Sequence, residues 1–226
     1  MKKAVIFDFN GTLFADSDKH REGWKRFLAK YGLDVDDEEL RTHYLGRTNP
    51  YILKRVFGED LSLELIAERT LEKEATYRQC CMEDPASFHL IAGATAFLDY
   101  LKASGVDFTI ATGSEYSNVD FYFDKFELGR WFDRSRVVLD DGSFPGKPAP
   151  DGYLRAAKVL GRDPADCVVF EDSISGVRAA HAAGIGKTVA ITTEVSAERL
   201  MSYPGVVIAE PDFTNMIEIF EGVLSQ

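Results

Sequence analysis

The chain has 226 residues, of which 45% are hydrophobic, 12% aromatic and 28% charged. That is enough to bury a sizeable core, and sixteen Phe and nine Tyr exclude disorder as the dominant state. No apolar run reaches the length of a bilayer span. The 26 basic side chains against 37 acidic ones, a net charge of −11, lack the basic field that nucleic acid or an anionic membrane surface selects. Neither is expected as a partner, whereas a small anion answers only to the local field of a pocket.

The first predicted element is a buried strand at residues 4–7, Ala-Val-Ile-Phe, which ends abruptly in Asp8-Phe9-Asn10-Gly11-Thr12. From Asp16 to Phe88 no strand is expected. Helical spacing runs through His20–Tyr31, Asp37–Leu45, Pro50–Phe57 and Leu63–Cys80, with Leu65, Ile66, Arg69 and Lys73 showing the period. The acidic stretch Asp34–Glu39 reads as a solvated loop and helix start. After Pro85 and Ile91-Ala92-Gly93 the chain returns to short apolar runs between helical segments: DFTIA at 107–111, RVVL at 136–139, CVVF at 167–170 and TVAI at 188–191. The pattern predicts an α/β fold, a Rossmann-like parallel sheet core with helices on both faces and an inserted all-α domain. The predicted domains are a core of residues 1–15 and 89–226 and a helical insert of residues 16–88. Trp24, Trp131 and residues 121–123 are expected in the core, and His43, His89 and His181 in structural roles.

Cys80, Cys81 and Cys167 are the only cysteines, with no CxxC and no zinc-ligand spacing. Neither a disulfide framework nor a signal peptide is expected, and a reducing cytoplasm is the expected compartment.

In parallel sheets, ligands bind beyond the carboxyl ends of the strands. The residues that follow the predicted strands therefore share one edge: Asp8, then Thr112-Gly113-Ser114, then Gly146-Lys147-Pro148, then Glu171-Asp172-Ser173. Three acids meeting there repel unless a hard cation neutralises them, and Mg²⁺ prefers such oxygen ligands. Lys147 and the hydroxyls of Thr112 and Ser114 then suit a phosphoryl group, toward which Asp8 is a competent nucleophile. Ser173 reads as the cap of the following helix rather than a ligand.

Residues 8–13 (DFNGTL), 112–114 (TGS), 146–151 (GKPAPD) and 170–176 (FEDSISG) resemble, in order and in placement, the motifs of the haloacid dehalogenase superfamily. The group that looks nearest is that of the β-phosphoglucomutase-like phosphatases, and the helical insert resembles their C1-type cap. The resemblance implies Asp8 as nucleophile and Mg²⁺ ligand, the Asn10 carbonyl and Asp172 as further ligands, and Glu171 as a direct or outer partner. It implies Thr112, Gly113 and Ser114 as phosphoryl-binding residues, with Lys147 offsetting charge between nucleophile and phosphate. His20, Lys73 and the loop Gly46-Arg47-Thr48-Asn49 match substrate-facing cap positions, and cap closure is expected to exclude water.

Position 10 departs from the family, which usually has an acid there to protonate the leaving oxygen and then activate water. An amide exchanges no proton at neutral pH. His20 and Asp16 are the candidate substitutes. The expected function is Mg²⁺-dependent hydrolysis of a small phosphorylated metabolite such as a sugar phosphate, by a monomer or weak homodimer. The alternatives are a catalytically impaired phosphate-binding or regulatory protein, and a sugar-phosphate mutase. Schiff-base phosphonatase chemistry is a minor alternative, since its cap lysine falls at Asn49. Dehalogenation is less favoured still, because Glu171-Asp172 retains the metal cluster.

Overall fold

The computed structural model describes residues 3–44 and 47–224. The chain forms two compact units, Met1–Ala15 with Leu90–Gln226, and Asp16–His89.

The first unit is built on β1 (Ala4–Phe7), β2 (Phe108–Ile110), β3 (Cys167–Glu171), β4 (Lys187–Ile191) and β5 (Val206–Glu210). They pair in the order β2-β1-β3-β4-β5, every pair parallel. Phe7 stands in register with Ile110 on one side and Phe170 on the other. Successive side chains of a strand point to opposite faces, and both faces are covered. Ala4, Ile6, Cys167 and Val169 pack with Tyr153, Ala156 and Leu160 of α7 (Asp151–Leu160) and with Ala179 and Ala180 of α8 (Ile174–Ala182). On the other face Phe7 stacks on Phe170 at 5.0 Å, and Phe97 of α5 (Ala94–Ala103) lies 5.4 Å from Phe170. The remaining helices of this unit are α6 (Tyr116–Lys125), α9 (Ala197–Met201) and α10 (Met216–Ile219). This is the α/β, Rossmann-like architecture the sequence predicts.

Three expectations change. RVVL is not a strand: Arg134–Arg136 is a 3₁₀ turn, and Val138 makes one bridge to Ala111. Its apolar residues are nonetheless used, because Val138 and Leu139 are buried. The edge strand β5 replaces it as the fifth member. Trp131 is half-buried rather than core, with its indole N–H donating to Asp99 Oδ1 at 2.6 Å. Phe121 and Phe123 are half-buried as well, and Tyr122 between them is buried.

The second unit contains α1 (Ser17–Ala29), α2 (Asp37–His43), α3 (Asn49–Phe57) and α4 (Leu63–Glu83), with no strand among its described residues. Its core is Trp24, Phe27, Leu28, Leu40, Ile52, Leu53 and Ile66. Leu45 and Gly46, which the sequence places at a helix end and in a substrate loop, lie outside the described residues. The Asp36 carboxylate caps α2 by accepting from Glu39 N, and the Ser62 hydroxyl caps α4 by accepting from Leu65 N. No described helix is long and apolar enough to cross a membrane. All three cysteines are free and buried, and burial pushes the Cys81 thiol up to about 12 and the Cys167 thiol up to about 11.

Candidate active site

The carboxyl ends of β1 and β3 bring Asp8, Glu171 and Asp172 together. One carboxylate oxygen from each lies within 4.8 Å of the others, and all three residues are buried. Asp8 is still tied to the sheet, its N–H donating to Phe170 O at 2.9 Å. Lys147, from the loop before α7, reaches both β-strands' acids: Nζ lies 2.5 Å from Asp8 Oδ1 and 2.6 Å from Glu171 Oε2.

The charges do not balance. Burial works against the Lys147 ammonium, but Asp8 and Glu171 outweigh it and hold its pKa well above the ordinary value. Burial also raises Glu171, yet Lys147 and the hydrogen bonds it receives bring that carboxyl below its usual range. Asp172 is left over: burial, then the charges of Glu171 and Asp8, push it well above the carboxylate range. Ionising all three acids against one lysine would leave a deficit of two positive charges in a buried pocket of hard oxygens. A divalent cation of the Mg²⁺ type fits both the charge and the donor set.

Two glycines make room for these carboxylates. Gly11 has φ +82°, and a Cβ there would run into the Asp172 carboxylate. Its carbonyl accepts from Thr193 Oγ1 at 2.7 Å, and Thr12 Oγ1 donates to Asp172 Oδ1 at 3.1 Å. A Cβ on Gly176 would collide with the Glu171 carboxylate. Alanine ordinarily favours a helix over glycine, but Gly176→Ala is expected to destabilise by about 1–3 kcal/mol. The check is a thermal-unfolding midpoint lowered by several degrees.

Glu171 is the most heavily bonded of the acids. Oε1 accepts from Asp172 N at 3.1 Å, Ser173 N at 2.9 Å and Ser173 Oγ at 2.8 Å. Oε2 accepts from Lys147 Nζ and from Tyr153 O–H at 2.5 Å. Ser173 also caps α8, its hydroxyl accepting from Gly176 N.

Thr112 and Ser114 follow β2, with Gly113 exposed between them. Both hydroxyls turn to residue 10: Ser114 Oγ donates to Asn10 Oδ1 at 2.7 Å and Thr112 Oγ1 at 3.3 Å. Asn10 Nδ2 donates to Tyr122 Oη at 2.8 Å, and the Tyr122 ring stacks on Phe9 at 4.4 Å. The residue that departs from the family is thus bonded directly to the hydroxyls assigned to the phosphoryl group. Sequence reasoning missed Tyr122, Thr12 and Thr193, whose partners lie 112, 160 and 182 positions away, and Tyr153, which meets Glu171 across 18 positions.

The helical unit, taken by itself, gathers its own polar group. Lys73 is buried and its Nζ donates to Glu74 Oε1 at 2.8 Å and to His20 Nδ1 at 2.9 Å. Asn49 Nδ2 donates to the same Glu74 Oε1 at 2.7 Å. His20 stacks on Tyr77 at 3.9 Å, its Nε2 lies 3.4 Å from Asp16 Oδ2, and Tyr77 O–H donates to that same oxygen at 2.5 Å. Of the predicted substrate residues here, His20, Asn49 and Lys73 therefore form one connected network. Arg47 stands apart, exposed, with its guanidinium 5.3 Å from the Tyr51 ring.

A parallel sheet with acids, a lysine and hydroxyls gathered at its carboxyl edge places the chain among the α/β proteins that bind ligands beyond their strand ends. The family model of the haloacid dehalogenase-like hydrolases matches residues 2–184, and the chain belongs to that family. A family IA, variant 3 hydrolase from Entamoeba histolytica is 34% identical, with a TM-score of 0.87 over 97% of this chain and 100% of that one. The fructose-1-phosphate phosphatase YqaB of Escherichia coli is 29% identical over 80% of this chain and 92% of its own length. An Asp-to-Asn mutant of CbbY from Rhodobacter sphaeroides, solved with xylulose-(1,5)bisphosphate, is 25% identical, with a TM-score of 0.78 over 95% of this chain and 96% of that one.

Proposed function

We propose that this hydrolase is a Mg²⁺-dependent phosphatase that cleaves a small phosphate monoester of the sugar-phosphate type through an aspartyl-phosphate on Asp8. The observation that carries the reading is the buried Asp8, Glu171 and Asp172 cluster bridged by Lys147. The sugar-phosphate class is supported by the fructose-1-phosphate phosphatase and by the CbbY mutant solved with a sugar bisphosphate.

Asp8, Asp172 and the backbone carbonyl of Asn10 would hold the cation, with Glu171 beside them. The cation supplies charge neutralisation at the phosphoryl oxygens. Thr112, Ser114 and the N–H groups of their loop bind those oxygens, and Lys147 keeps the Asp8 carboxylate and the incoming phosphate from repelling each other. A carboxylate oxygen of Asp8 attacks phosphorus in line. The bond from phosphorus to the substrate oxygen breaks, and the leaving sugar alkoxide takes its proton from solvent water, since the Asn10 amide has none to give. Water then hydrolyses the acyl phosphate, releasing inorganic phosphate and restoring Asp8. The helical unit is assigned the role of cap, with His20, Arg47, Asn49 and Lys73 as its substrate residues.

Asn10 favours a second reading, a protein that binds the phosphorylated ligand and turns it over slowly or not at all. Purified protein incubated with a panel of phosphorylated sugars separates the two. Released phosphate that rises with Mg²⁺ and disappears with EDTA supports the phosphatase. Ligand binding without release supports the binder.

A further inference from the structure

We propose that Tyr153 is a positioning residue of this site, one that holds Lys147 in place by fixing Glu171. The proposal rests on the phosphatase reading and adds to it a residue that none of the motifs contains.

A carboxylate has about four lone-pair sites. Glu171 receives five donors, three on Oε1 from its own turn and two on Oε2 from Lys147 and Tyr153. Much of its bonding capacity is committed to the protein, and Oε2 anchors Lys147. Tyr153 acts on that anchor in two ways. Its hydroxyl shares Oε2 with the ammonium, and its ring lies 5.0 Å from Lys147 Nζ, within cation–π range. The ring is buried among Ile6, Ala180 and Val169, so the hydroxyl is held on a packed scaffold. Lys147 then spans Glu171 and Asp8 from a fixed point.

Removing the hydroxyl leaves Lys147 alone on Oε2. The ammonium is drawn toward Glu171 and away from Asp8, where the phosphoryl group is bound. Asp172 keeps its bond from Thr12, and Asp8 stays tied to the sheet through its N–H to Phe170 O. The expected signature of Tyr153→Phe is therefore split: phosphate binding weakens and Mg²⁺ binding does not. Outer partners of such sites typically cost 10–100-fold when changed, and loss of one of several donors is expected at the low end, about tenfold.

The test is calorimetry on the full chain. Mg²⁺ is titrated alone, then inorganic phosphate is titrated at saturating Mg²⁺, for wild type and Tyr153→Phe. The phenyl ring fills the same space, and a thermal midpoint within a few degrees of wild type verifies the fold. The proposal expects a phosphate Kd raised about tenfold, a Mg²⁺ Kd within twofold, and a kcat/KM for phosphomonoesters that falls with the phosphate affinity. An unchanged phosphate Kd overturns it. A Mg²⁺ Kd that moves by the same factor also overturns it, because Tyr153 would then support the whole site rather than the lysine. Tyr153→Trp, which fills the core differently and offers its N–H elsewhere, keeps the comparison available if the Phe variant does not fold, and must show the same split. Either of these failures leaves the phosphatase reading standing. Wild type that binds neither Mg²⁺ nor phosphate overturns both.

Discussion

Asp8→Asn is expected to remove phosphate release almost completely, by roughly 10⁴-fold or more. The two side chains have the same shape, and the amide oxygen can still accept from Lys147, which now lies 2.5 Å from Asp8 Oδ1. What disappears is the anionic oxygen that bonds to phosphorus, and neither hydroxyl of Thr112 or Ser114 is paired with a base that could replace it: both donate to Asn10 Oδ1. The substitution also takes one of three like charges out of a buried cluster. Without Mg²⁺ the unfolding midpoint of the variant is therefore expected to equal or exceed that of wild type, because repulsion among Asp8, Glu171 and Asp172 is relieved. Released phosphate and a melting curve, measured side by side, check both halves. Surviving turnover in a folded variant places the nucleophile elsewhere, and a large loss of stability makes Asp8 a structural residue.

Much of this site is legible in the sequence because its residues sit where parallel strands end. Short apolar runs at β1, β2 and β3 stop at Asp8, Thr112 and Glu171, and the topology brings those stops to one edge. The strand at RVVL fails for a local reason: its apolar residues are wanted for burial, but the backbone offers a single bridge to Ala111. Periodicity registers burial and does not register pairing. The edge strand β5 escapes for the converse reason. It pairs with β4, but only Val206 is buried and Val207 is exposed, so its pattern is weaker than that of the buried strands. The supporting residues of the site are the least legible. Thr12 reaches Asp172 across 160 positions, and Tyr122 reaches Asn10 across 112. A buried tyrosine or threonine on an apolar face carries no mark of which polar group its hydroxyl will meet.

The same distinction bears on the charge balance. A net charge of −11 disfavours anions at long range. At the sheet edge the acids act differently, since their surplus over Lys147 is what makes a divalent cation fit. On the phosphatase reading, part of the negative charge helps to build an anion-binding site, with Lys147 supplying the permanent positive group. That division of labour explains why composition disfavours nucleic acid and yet says nothing against a phosphorylated metabolite.

Asn10→Asp is the other change with a large expected effect, and its sign is upward. Position 10 lies among Ser114 Oγ, Thr112 Oγ1 and Tyr122 Oη. A carboxylate there can accept from all three hydroxyls, Tyr122 turning from acceptor to donor, so the substitution needs no repacking. It adds the group that can protonate a leaving alcohol and then deprotonate water, a role worth about 10²–10⁴ in rate. The gain must depend on the leaving group. An alkyl alkoxide leaves poorly without a proton, whereas p-nitrophenolate leaves readily with none. Asn10→Asp is therefore expected to raise turnover of sugar phosphates by about 10²–10⁴, and turnover of p-nitrophenyl phosphate by a smaller factor limited to hydrolysis of the aspartyl-phosphate. Steady-state rates on both substrates, with burst amplitudes for the aryl ester, separate the two steps. Equal gains on both substrates would assign residue 10 to water activation alone. No gain on either means that the proton is already moved by another residue, with His20 and Asp16 as the next positions to change, and that the amide at position 10 is a fixed part of the phosphate loop.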